Sequence, residues 1–297
     1  MVRMSRRLFV AGTAASAFVL SSNSPPAKSV RSSKKVIPPI GMGSWRTFDV
    51  GPDPEARKVR AEILRVFFAC GGRMIDSSPM YGRSQAVIGE ALQKIGNPSS
   101  LFAADKVWTS GERQGREQIE QTTSRWQIPK LDLLQVHNLL DWETQLETLF
   151  QLKASGRLRY VGITSYDGLQ YDMLEKIMTE HPIDFVQLSY NISDRRAENR
   201  LLPLALERGI SVIANRPFQE GRLIEKTRTR SMPSSAKDIE SDSWAQYMLQ
   251  YIASHPAVTV TIPATSRVDH MRENISVLHK PVPDQALREK MAREFLS

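Results

Sequence analysis

Eight times in succession, a short apolar run is followed by a stretch whose apolar residues recur at helical spacing. The runs occupy 36–45 ("VIPPIGMGSW"), 73–76 ("RMID"), 100–108 ("SLFAADKVW"), 131–137, 159–166, 184–190, 211–217 and 257–265. The helical stretches occupy 56–71, 84–96, 116–128, 142–156, 169–181, 197–209, 243–255 and 267–279. In the first of these, Val59, Ile63, Val66 and Phe67 share one face and Gly71 supplies the stop. Several runs are continuously apolar rather than alternating, as parallel strands covered on both faces must be. Eight such units in 297 residues specify an α/β fold, a (β/α)8 barrel of the TIM type. The competing arrangement is an open doubly wound sheet, which calls for Gly-x-Gly-x-x-Gly after its first strand. "GMGSWR" (41–46) begins that motif and breaks off. One long irregular segment, 218–242, follows the seventh strand. It lies on the face where barrels keep their chemistry and is expected to act as a lid or cofactor clasp.

The net charge of +8 suggests a polyanion partner until its distribution is read. Residues 1–35 carry seven basic side chains and no acidic one, so the remaining 33 basic residues face 32 acidic ones. No basic stripe tracks phosphates, and a nucleic-acid partner is not expected. Cys70 is the only cysteine, which excludes an intramolecular disulfide; among Phe67, Phe68 and Ala69 it reads as a small buried hydrophobe. The N-terminus pairs Arg6 and Arg7 ahead of an uncharged stretch, Leu8–Leu20. As a helix, that stretch spans about 20 Å, too short to cross a membrane. The segment resembles a twin-arginine export signal, which implies a periplasmic or otherwise exported protein that travels folded with its cofactor. Without that signal the protein would be cytoplasmic. Pro25 and Pro26 stand where a small-x-small cleavage site would fall, so an uncleaved signal anchor stays open. The division is then a signal and linker over 1–35 and the barrel over 36–297.

Strand ends are where a barrel places reactive groups. The second strand ends on Asp76, the third passes through Lys106, and the fourth ends on His137. Tyr81 follows Asp76 in the next loop. Each has an ordinary structural reading: a turn cap, a snorkelling lysine, a satisfied core histidine. Four ionisable types converging on neighbouring strands are harder to explain that way, because unpaired charge beside a core is costly. Asp76 and Lys106 can form an ion pair, and an ammonium beside a phenol is expected to lower the Tyr81 pKa. A phenol so placed is a general acid, and a neutral His137 can orient a carbonyl oxygen. None of the four can donate electrons, so a hydride must come from a cofactor.

At these residues the sequence resembles the aldo-keto reductase superfamily. "IDSSPMYGRSQAVIGEAL" (75–92) is similar to that family's D-x-x-x-x-Y-G signature running into its second helix, and the resemblance covers about 36–280. It implies metal-free, NADPH-dependent reduction of a small-molecule carbonyl to an alcohol. It casts Tyr81 as proton donor, Lys106 as its tuner, Asp76 as the anchor of Lys106 and His137 as the group that positions the carbonyl. Thr164 and Ser165 fall at a pair that holds the nicotinamide carboxamide, where Ser165 replaces the commoner asparagine. Gln187 matches a second carboxamide contact, Asn215 stands where a tyrosine often stacks on the nicotinamide, and Arg216 adds a charge beside it. The segment 262–275 resembles the adenosine-end motif, with Thr265, Ser266 and Arg267 facing a 2′-phosphate and Asn274 at the adenine. NADPH is favoured, with NADH as the alternative.

Other readings are a nicotinamide-binding module with little turnover, as among channel subunits that resemble the family, and an unrelated exported barrel protein. A Schiff-base role for Lys106 conflicts with Asp76, which would keep it charged. A monomer is expected. The loop after the fourth strand is very short (138–141), and the charged tail from 280 adds little, so an open, polar-tolerant pocket is expected. Trp45, Met80, Trp108, Leu139 and Phe218 are candidate walls.

Overall fold

A computed structural model describes residues 37–297. Eight strands run in chain order: β1 (Met42–Gly43), β2 (Met74–Asp76), β3 (Phe102–Val107), β4 (Leu133–His137), β5 (Tyr160–Thr164), β6 (Phe185–Ser189), β7 (Ser211–Asn215) and β8 (Val258–Thr261). Every neighbouring pair is parallel, and the sheet order follows the chain. Bridges from Ile40 to Thr261 and from Gly43 to Ala264 join the first strand to the eighth and close the barrel. The expected (β/α)8 architecture is present. Within the 36–45 run, only Met42–Gly43 is a regular strand. Pro38 and Pro39 lack amide protons, so pairing begins at Ile40.

Ten α-helices occur among the described residues: α1 (Pro54–Ala69), α2 (Ser84–Lys94), α3 (Glu112–Trp126), α4 (Trp142–Ala154), α5 (Tyr171–Glu180), α6 (Leu201–Arg208), α7 (Arg222–Thr227), α8 (Trp244–Ala253), α9 (Val268–Ser276) and α10 (Gln285–Leu296). Two differ from expectation. The segment 218–242 is not simply irregular: it holds α7 and a 3-10 turn at Ser234–Ala236. The charged tail folds as α10, whose N-cap Asp284 accepts the Leu287 amide at 2.8 Å. Its Arg288, Met291, Ala292 and Phe295 share one buried face. Arg288 crosses that interface to donate to the Tyr190 hydroxyl at 2.6 Å, and its guanidinium lies 3.6 Å from Glu198. No helix among the described residues is long and apolar enough to cross a membrane. The Arg6–Arg7 segment lies outside the described residues.

The site follows from the two-residue period of the strands. Met74, Phe102, Leu133, Tyr160, Phe185, Ile213 and Val260 pack together as the floor inside the barrel. Two or four residues further on, the same faces carry Asp76, Lys106, Gln135, His137, Thr164, Gln187 and Asn215. The floor is apolar and the mouth is polar because each strand changes chemistry along its inward face. The outward face joins the helices in a second, larger core containing Ile75, Val107, Val136, Ile163 and Val186. Gly162 sits between these layers: a Cβ there would lie 2.9 Å from the Phe185 carbonyl and 3.1 Å from Cγ of Gln135. The glycine leaves room for the Gln135 side chain to rise toward Asp76.

Candidate active site

Asp76 and Lys106 form a buried ion pair, Nζ to Oδ2, at 2.5 Å. Lys106 also donates to the Ser77 carbonyl at 2.7 Å. The other oxygen of Asp76 accepts from Gln135 at 3.1 Å and from Gln187 at 2.9 Å. Both charges are therefore paired and hydrogen-bonded, the condition under which burial is tolerated. Burial pushes the Lys106 pKa down, but the Asp76 charge and hydrogen bond, with Tyr81 and Asp105 adding to them, leave it raised.

Nζ of Lys106 lies 5.1 Å from the centre of the Tyr81 ring. The ammonium pulls the phenol pKa down as expected, but it does not prevail. Burial is the larger effect and the Asp76 charge adds to it, so the Tyr81 pKa is raised overall. The expectation of a lowered value is corrected on this point: Asp76 offsets much of the Lys106 charge that the phenol would otherwise feel. The phenol stays protonated, which is the form a proton donor requires.

His137 packs edge-on against Tyr81, with ring centres 5.8 Å apart and planes at 84°. Burial, then the Lys106 charge, holds its pKa down to about 2, so the ring is neutral. Its Nδ1 lies 2.8 Å from Oγ of Ser78, a buried hydroxyl that also accepts the Met80 amide at 3.2 Å. Sequence reasoning missed Ser78 and Gln135. Nothing in the spacing marks Ser78, whereas Gln135 was accessible as the residue two before His137 on the same strand face.

Asp76, Tyr81 and His137 line a cleft of about 1030 Å³. Thr164, Gln187 and Asn215 line it, as do Thr265 and Asn274 from the eighth unit. Gln187 uses its amide N–H on Asp76, and its carbonyl oxygen receives only long contacts from Thr164 at 3.4 Å and Asn215 at 3.5 Å. Asn215 donates to the Ser165 carbonyl at 3.0 Å and accepts from Ser189 at 2.8 Å. Ser165, Ser266 and Arg267 are not part of the cleft wall. The Ser165 hydroxyl is engaged by the Leu169 carbonyl at 2.6 Å, and Arg267 is paired with Asp269. Arg216 lines the cleft and pairs with Glu220 at 3.1 Å, while Glu220 also reaches Arg46 of the first loop at 3.4 Å. The segment from 216 to 228 forms one wall through Phe218, Ile224 and Arg228, with left-handed backbone at Arg216, Gln219, Glu220 and Gly221.

Trp108 is not part of the cleft wall, but its ring lies 6.5 Å from that of His137. Its backbone is held at both ends by one side chain: its amide donates to Oε1 of Gln118 at 2.6 Å, and Nε2 of Gln118 donates to its carbonyl at 3.0 Å. Met80 and Tyr166 line the cleft and, like Trp108, remain about 40% exposed. The rim is thus more apolar than expected. Leu139 is buried in the outer core rather than in the pocket.

A parallel barrel whose mouth sets a protonated phenol beside a buried ammonium and a neutral imidazole defines a proton-donating oxidoreductase site. The chain belongs to the Aldo/keto reductase family, whose sequence profile matches residues 39–290. It is accordingly an NAD(P)H-dependent reductase. It is 27% identical over 249 residues to the methylglyoxal reductase YeaE of Escherichia coli, covering 82% of this chain and 86% of that one. An NADH-specific methylglyoxal reductase of the same organism is 25% identical, with 67% and 69% covered. Among solved structures, an aldo-keto reductase of Klebsiella pneumoniae in complex with NADPH superposes with a TM-score of 0.71 at 21% identity, covering 87% of this chain and 91% of that one.

Proposed function

We propose that this protein reduces an aldehyde or ketone to an alcohol with Tyr81 as the proton donor. The observation that carries this reading is the buried Lys106–Asp76 pair beside Tyr81, with neutral His137 against the same phenol. Tyr81 holds its proton at neutral pH and gives it to the oxygen that becomes the alcohol. Lys106 opposes the rise in the phenol pKa and is fixed by Asp76. His137, uncharged, donates a hydrogen bond to the carbonyl oxygen without competing for the transferred proton.

A nicotinamide held in this cleft would supply the hydride. The polar groups on the cleft fit such a group: Thr164, Gln187 and Asn215 from β5, β6 and β7, where the Gln187 carbonyl holds only long contacts that a ligand could replace, and Thr265 with Asn274 from the eighth unit. Arg46, Arg216 and Arg228 are the guanidinium groups on the wall, whereas Arg267 is directed to Asp269. NADPH is the favoured cofactor, with NADH retained because one relative is NADH-specific. Met80, Tyr166 and Trp108 favour a carbonyl compound that carries an apolar or aromatic substituent.

Export through the Arg6–Arg7 segment to the periplasm, as a monomer, belongs to the same reading. It rests on the charge asymmetry of residues 1–35 and on the short apolar stretch behind the arginines. Cell fractionation of the full chain and of an Arg6→Lys/Arg7→Lys variant tests it: a native chain retained in the cytoplasm refutes export. Fluorescence titration with NADPH and NADH, followed by aldehyde and methylglyoxal panels read at the nicotinamide absorbance, tests the chemistry. Tyr81→Phe is expected to bind nucleotide normally and to lose turnover by about a thousandfold. Turnover unchanged by that substitution refutes the role of Tyr81.

A further inference from the structure

We propose that Ser78 is a positioning residue: by donating its hydroxyl proton to Nδ1 of His137, it fixes the ring as the tautomer that carries its proton on Nε2, toward the cleft. The proposal rests on the reading that His137 orients the carbonyl. A count of protons fixes the direction of that bond. A serine hydroxyl has one proton to give and lone pairs to receive. Pro79 follows Ser78, and the Tyr81 amide bonds back to the Ser78 carbonyl at 3.0 Å, closing a tight turn. That turn aims the Met80 amide at the Ser78 hydroxyl oxygen, 3.2 Å away. The oxygen therefore already accepts one proton. Its only other polar neighbour within hydrogen-bond distance among the described residues is Nδ1 of His137, at 2.8 Å.

If Nδ1 carried the ring proton, Ser78 would accept twice and its own proton would be buried without an acceptor, an arrangement that folded proteins avoid. With the hydroxyl donating, the chain from Met80 N–H through Oγ–H to Nδ1 is satisfied throughout. Burial and the Lys106 charge keep the ring neutral, so it holds one proton, and that proton sits on Nε2. Nε2 makes no hydrogen bond to any described residue, and His137 lines the cleft. The opposite tautomer would present a bare nitrogen to a carbonyl oxygen, acceptor against acceptor.

Long-range 15N correlation spectra of the unliganded protein at neutral pH, with His137 assigned by its loss in His137→Gln, read the tautomer directly. The wild type is expected to show an unprotonated Nδ1 and a protonated Nε2. Ser78→Ala is expected to show a mixture of the two forms, a kcat about tenfold lower and a KM within about twofold of wild type. Ser78→Thr, which keeps the hydroxyl, retains the wild-type spectrum. A wild-type ring protonated on Nδ1 overturns the proposal, even if Ser78→Ala fails to fold. So does a Ser78→Ala spectrum identical to wild type, or a kcat that does not change when the spectrum does. A protein that shows the expected spectrum but reduces no carbonyl supports the tautomer assignment and overturns the reductase reading instead.

Discussion

The neutral state of His137 has a thermodynamic consequence that can be measured without a substrate. In the folded protein its pKa is held at about 2, against 6.5 in an unfolded chain. The shift is downward for a base, so protons favour the unfolded state. Well above pH 6.5 neither state takes the proton and stability is unaffected. Below it, the unfolded chain is protonated and the folded ring is not, which costs about 1.4 kcal/mol per pH unit until the folded value is reached. The loss is about 0.2 kcal/mol at pH 7 and about 2 kcal/mol at pH 5. Asp105 acts in the opposite sense: burial raises its pKa to about 6, so its contribution weakens as pH rises from 3.8 through 6. The raw pH dependence therefore mixes several groups. The difference between wild type and His137→Gln isolates one, because Asp105 is common to both. Urea unfolding at pH 7, 6 and 5 in the absence of nucleotide gives that difference. Wild type is expected to lose about 2 kcal/mol more than His137→Gln between pH 7 and pH 5. Parallel curves would show that the folded ring takes protons as readily as a free one, and the argument for a neutral imidazole would fail.

Lys106→Met leaves the Asp76 carboxylate buried with only its two glutamine donors, and is expected to cost roughly 3–5 kcal/mol in urea unfolding. Much of that should return in the double variant with Asp76→Asn; a single variant as stable as wild type would refute the pairing. Gly89 of α2 lies so close to α3 that an added Cβ would stand 2.2 Å from the Arg125 carbonyl. Gly89→Ala should therefore destabilise by about 2 kcal/mol despite the better helix propensity of alanine, and a raised melting temperature would contradict the close approach. The raised Tyr81 pKa predicts that the reduction rate is flat between about pH 6 and 9, while the reverse oxidation, which needs the phenolate, climbs by up to about tenfold per pH unit. Parallel initial-rate profiles in the two directions decide this, and a reduction rate that falls through neutral pH would refute it.

The sequence revealed those parts of the molecule whose physics is local. Strands β3 to β8 are short apolar runs because helices cover one face and the barrel interior the other, and such runs can be read without partners. Asp76, Lys106 and His137 were legible for a related reason: an ionisable residue in or at the end of an apolar run has few structural explanations. What stayed hidden depends on contacts between distant segments. The segment before α10 gives a cap at Asp284, but its apolar face is spread among so many charges that only docking against Tyr190 and Tyr251 reveals it. The 218–242 stretch reads as loop because α7 is only six residues long and is stabilised by its place on the cleft wall. The partners of Ser165 and Arg267, the Leu169 carbonyl and Asp269, were likewise invisible in the sequence.

The same distinction explains why the phenol's charge state could not be derived from a list of its neighbours. A lysine near a tyrosine suggests a lowered pKa, and the structure contains that lysine at the expected place. The net effect depends on what else the lysine is doing. To exist inside a barrel at all, Lys106 needs Asp76, and the charge that keeps the lysine protonated also raises the phenol pKa. The ion pair presents Tyr81 with something closer to a dipole than a cation, and burial then decides the sign. That outcome suits the chemistry, since a donor whose proton was already lost at neutral pH could not deliver it to an alkoxide. In this site Lys106 limits how high the phenol pKa rises rather than driving it below neutrality, and Asp76 sets that limit through the lysine it holds.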